Sequence, residues 1–135
     1  MTDLPMSVAV AFVEAINAAD LTALRRLMTN DHTFTDALGN SFSGADPIIA
    51  GWQHFLRAYP DYHIQIHHVF SDSIYAALFG RAEGKWRVGE NVLPGSWSVA
   101  AAWLAEVEEG RVKKWRVFCD TSWASPPVLE SPPGR

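Results

Sequence analysis

Residues 96–120 read SWSVAAAWLAEVEEGRVKKWRVFCD, and their pattern decides the fold. The first part alternates with period two. Ser98, Ala100, Ala102 and Leu104 share one face; Trp97, Val99, Ala101 and Trp103 share the other. Glu108-Glu109-Gly110 reads as a turn, and Arg111 to Asp120 returns as a second strand. An antiparallel strand with one wet face alternates polar with apolar residues. This strand is apolar on both faces, so both are expected to be covered, one by helices and one by a second subunit.

Working outward, YHIQIHHVF (62–70) alternates again, with Tyr62, Ile64, Ile66, His68 and Phe70 on one face. Ser71-Asp72-Ser73 turns it into a strand running from Ile74 to about Trp86. Ala76, Leu78, Gly80 and Ala82 are mostly small, as are Ser98, Ala100 and Ala102. If these two rows share a concave face they leave space. Either Trp52, Phe55 and Trp115 fill it, as dense interiors favour, or it stays open as a pocket.

The first half reads as helices. Leu4, Val8, Phe12 and Ile16 recur every four residues, with Asp3 as the expected cap and Pro5 in the first turn. Asp20 is expected to cap LTALRRLM (21–28). A third helix opens at GADP, with Asp46 as cap and Pro47 at the first helical position, and Pro60 stops it. Between them NDHTFTDALG (30–39) alternates like a strand and sets Asp36 on the side of Phe34 before a glycine turn. Helices first and an antiparallel sheet afterwards make an α+β domain with the helices on one face of a curved sheet.

Composition removes several function classes. A net charge of −4 with no basic block argues against nucleic-acid binding. No apolar stretch approaches the ~18 residues of a membrane span, and MTDLPMSVAVAFVEAIN lacks the leading positive charge of a secretory signal. A soluble, cytoplasmic protein is expected. Cys119 is the sole cysteine and has no internal disulfide partner; a buried structural thiol is the expected role. His63 and His67 lie roughly 13 Å apart on a strand, too far to share one ion, so no metal is expected. His32 and His54 are expected on the surface or a helix face. The tail SPPVLESPPGR carries four prolines and is expected to be extended. The domain is thus set at 1–122 and the Pro-rich tail at 123–135.

FVEAINAADLTALRRLM, FTDALGNSFSGADPI and EEGRVKKWRVFCDT, in that order, resemble the nuclear transport factor two-like superfamily, nearest its ketosteroid isomerase and SnoaL-like polyketide cyclase branches. The resemblance covers most of residues 6–122. It implies a cystatin-like cone, with three N-terminal helices packed on a strongly curved, mainly antiparallel sheet around a cavity, and a homodimer through the sheet. It implies an apolar small-molecule ligand and no cofactor.

In ketosteroid isomerase an Asp base moves a proton beside a carbonyl while a Tyr and a protonated Asp hold the oxyanion. The base position falls on Asp36. The Tyr position falls on Phe12 and the second donor near Ala102, neither of which donates. The last strand also resembles that of limonene epoxide hydrolase, roughly Trp-Arg-Asp-x-x-Asp. Trp115, Arg116 and Asp120 match that pattern, and Val117 replaces its catalytic acid.

Asp36 is therefore the expected general base, its alternative role being a turn residue that bonds backbone N–H groups. His68 is a second catalytic candidate, able to donate to a ligand carbonyl; a bulge at His67-His68 would turn it away. Phe12, Trp52, Phe55, Ala102, Trp115, Val117 and Asp120 are expected to bind substrate. The reaction expected is isomerisation, cyclisation or dehydration by proton transfer. The alternative is a non-catalytic ligand-binding or dimerisation module on the same fold.

Overall fold

The computed structural model describes residues 4–122. The expected cap Asp3 and the Pro-rich tail 123–135 lie outside the described residues. Helix α1 (Pro5–Asn17) starts on Pro5, with Leu4 at the cap position. Its Val8, Ala9, Phe12, Val13 and Ile16 are buried against the sheet. Helix α2 (Leu21–Arg26) is capped as expected, the Ala23 N–H donating to Asp20 Oδ1 at 3.1 Å. It ends two residues before Met28, which opens strand β1 (Met28–Thr35). A turn leads to β2 (Ser41–Ser43), and only then does α3 (Ala45–Ala58) follow. Two helices, not three, therefore precede the sheet. Gly44, at φ +99°, takes the cap position of α3. Asp46 sits in the first turn instead and pairs with Arg25 Nε at 2.8 Å.

The remaining strands are β3 (His63–Ser71), β4 (Tyr75–Gly84), the short pair β5 (Arg87–Val88) and β6 (Asn91–Val92), β7 (Trp97–Glu108) and β8 (Arg111–Cys119). Six strands form one sheet in the order β2-β1-β8-β7-β4-β3. All its pairs are antiparallel except β1 with β8, which makes the sheet mixed. The architecture is α+β, as the sequence pattern requires.

The register places Ala76 opposite Ala105, Leu78 opposite Trp103 and Ala82 opposite Val99. The core face of β7 is thus Trp97, Ala101, Trp103 and Ala105, all buried. The expected pairing of Ser98, Ala100 and Ala102 with Ala76, Leu78 and Ala82 is inverted. Both faces of β7 are apolar, so alternation alone carries no sign of which turns inward. At the far edge, Asn17 at the end of α1 reaches the backbone of Ile64 on β3. Its Nδ2 donates to the Ile64 carbonyl at 2.8 Å, and its Oδ1 accepts the Ile64 N–H at 2.8 Å.

Candidate functional site

A cavity of about 490 Å³ opens between α3 and the sheet. One wall is helical: Ile48, Gly51, Trp52 and Phe55 recur at the three- and four-residue spacing that puts side chains on one helix face. The sheet supplies Phe34 from β1, Phe42 from β2, Ala82 from β4, and Val117 and Cys119 from β8. Tyr62, just before β3, completes the apolar wall with Leu38 at the rim. Aromatic edges lock these rings together. Trp52 meets Phe34 at 5.9 Å and Phe55 at 6.0 Å, and Phe55 meets Tyr62 at 4.9 Å, all edge-on.

Asp36 stands among these residues and, among the described residues, is the one charged side chain lining the cavity. It also builds the β1–β2 turn. Its Oδ1 accepts the Leu38 N–H at 3.0 Å and the Asn40 N–H at 2.9 Å, while Oδ2 meets Asn40 Nδ2 at 3.4 Å. Gly39, at φ +91°, completes the turn in a conformation that suits glycine. The two readings of Asp36 thus describe one geometry: a turn residue on the pocket wall.

Of the other expected site residues, Trp52, Phe55 and Val117 line the cavity. Phe12 and Trp115 are fully buried behind it, with rings 4.5 Å apart, and belong to the core. Ala102 lies on the outer face, in register with Phe79 and Phe118. Asp120 is exposed; the Ser122 N–H donates to its Oδ1 at 2.8 Å and holds its carboxyl below the usual range. His68 is exposed and stands opposite Phe79, outside the cavity lining. The register of β3 slips between Ile66 and His68, and that bulge turns His68 to the outer face.

Two lining residues carry chemistry that the sequence reading did not assign to the site. Burial, and secondarily the neighbouring Cys119, push the Tyr62 phenol well above its ordinary range, so it remains a neutral donor. Cys119 lines the cavity beside it. Parity was the available signal: 117 and 119 share a face of β8, as 62 and 64 share a face before and within β3. His32, expected at the surface or on a helix face, lies on strand β1 and is 0% exposed. Its Nδ1 lies 2.7 Å from the Val112 carbonyl, and its Nε2 is buried with no hydrogen-bond partner among the described residues.

The profile of the SnoaL-like domain family matches residues 9–115. No curated protein matches the chain. Among solved structures, a Shewanella denitrificans OS-217 protein named as a SnoaL-like polyketide cyclase superposes with a TM-score of 0.78 at 14% identity, over 87% of this chain and 91% of that one. A Catenulispora acidiphila DSM 44928 protein with a ketosteroid isomerase-like fold, solved with trimethylamine, gives 0.77 at 17% identity over 90% of each chain. An M. tuberculosis LEH-like epoxide hydrolase gives 0.76 at 15% identity, over 90% of this chain and 86% of that one. At these identities the likeness is one of fold.

Proposed function

The chain belongs to the SnoaL-like domain family, and from that premise we propose that it binds an apolar carbonyl compound in the cavity and moves a proton on it, with Asp36 as general base. The supporting observation is that, among the described residues, a single carboxylate stands on the wall of a largely apolar, ring-lined pocket. Asp36 takes a proton from the carbon next to the carbonyl. The C–H electron pair forms the new C=C bond, and negative charge gathers on the oxygen. The Tyr62 phenol, protonated at neutral pH, donates a hydrogen bond to that oxygen in place of the donors absent at Phe12 and Ala102. Asp36 then returns the proton at a second carbon, which gives isomerisation, or at a leaving group, which gives dehydration. One carboxylate serves both steps, so the reaction draws on no cofactor. In this reading residues 1–122 work as one cone-shaped domain whose curved sheet wraps the pocket.

Proton exchange at the α-carbon of 2-tetralone in D₂O, followed by NMR, tests the proposal. The wild-type chain is expected to speed exchange over buffer, and Asp36→Asn to remove about 10²–10⁴ of that rate. Exchange equal to buffer, or unchanged in Asp36→Asn, leaves the second reading, a non-catalytic ligand-binding module. The turn bonds that already occupy Asp36 favour that second reading.

The same family premise supports a homodimer through the outer sheet face. Phe70, Phe79 and Phe118 are 63%, 45% and 44% exposed there, and Phe70 and Phe79 touch edge-on at 6.0 Å. An apolar cluster of this kind on a sheet face marks an interaction surface.

A further inference from the structure

We infer that the ligand of this pocket carries a positively charged nitrogen beside its apolar body, seated between the Asp36 carboxylate and the surrounding rings. The inference rests on the reading of the cavity as a small-molecule site and adds the charge of its occupant.

Four observations carry it. Among the described residues no Arg, Lys or His lines the cavity, so their wall holds one negative charge and no positive one. Among the described residues Asp36 enters no ion pair; the four pairs found involve other carboxylates. The turn holds Asp36 through Oδ1 and leaves Oδ2 with one long contact from Asn40, so acceptor capacity remains. Phe34, Phe42, Trp52, Phe55 and Tyr62 line the same space, and aromatic rings attract cations, most strongly weakly hydrated ones such as alkylammonium groups.

An anion entering here loses its water and faces the Asp36 carboxylate with no cationic side chain among the described lining residues to offset it. A neutral ligand gains burial but leaves the Asp36 charge unmatched. A cation satisfies both the rings and the carboxylate.

NMR titration of the full chain with three matched probes tests this. They are benzyltrimethylammonium, its neutral carbon isostere neopentylbenzene, and the anion phenylmethanesulfonate. The cation is expected to bind about fivefold tighter than the isostere, the anion not at all, with shifts at lining residues. Asp36→Asn keeps the Oδ1 turn bonds and is expected to erase the preference. Phe42→Leu removes an exposed ring from the lining, and is expected to weaken the cation by about twofold more than it weakens the isostere. An isostere that binds in the pocket as tightly as the cation, or a preference that survives Asp36→Asn, overturns the inference and leaves the pocket reading standing. Three probes that all leave the lining residues unshifted overturn both.

Discussion

Asn offers the same side-chain oxygen as Asp to the N–H groups of Leu38 and Asn40, so at position 36 it separates charge from turn geometry. Asp36→Asn is expected to unfold in urea close to wild type, while Asp36→Ala loses the turn bonds and about 1 kcal/mol. Tyr62→Phe keeps the packing against Phe55 and Trp97 but removes the donor. If the phenol holds the oxyanion, tetralone exchange falls by about 10²-fold with melting temperature nearly unchanged. His32 is held neutral because burial outweighs its bond to Val112, which places its folded-state pKa below the usual value. Its stability contribution is therefore complete above about pH 6.5 and lost as pH falls below that, where the unfolded chain takes up a proton the folded one resists. Urea midpoints at pH 7.5 and 5.5 should differ less in His32→Gln than in wild type. Asp36 was legible in the sequence because a turn glycine and a neighbouring Phe fixed its strand and side. For Tyr62 parity gave the inward face but not the site, since a Tyr before an alternating strand looks the same whether it meets core or cavity. His32 stayed hidden because its burial depends on the distant Val112 carbonyl.

At the level of elements, strand periods and turns gave β3, β4, β7 and β8 nearly in place, and Asp20 fixed the start of α2. Orientation failed where periodicity carries no sign. The two apolar faces of β7 exchanged roles, and with them Ala102 moved outside. The bulge in β3 did the same for His68, because one extra residue reverses every side chain beyond it. Gly80 sits across from that irregular stretch, and a Cβ added there would run into the Gln65 carbonyl. Backbone cannot yield as a flexible side chain does. Gly80→Ala is expected to cost on the order of 2 kcal/mol and to loosen β3–β4 pairing, read as a lower urea midpoint and faster amide exchange in β3.

For the molecule as a whole, the parallel pairing of β1 with β8 joins the early chain to the last strand, and this closure gives the pocket walls from both halves. If the outer face joins two copies, Phe118→Glu should convert a dimer to a monomer in sedimentation equilibrium while leaving the far-UV spectrum unchanged. A wild-type chain that sediments as a monomer rejects that assembly. The opposite rim raises a different matter. By gripping both polar groups of Ile64, Asn17 impersonates the peptide unit of a neighbouring strand. The sheet thereby presents a false partner where it would otherwise invite a foreign chain to dock and propagate. Trimming that amide to alanine would bare the template, and thioflavin-positive fibres should then appear earlier than in the parent protein.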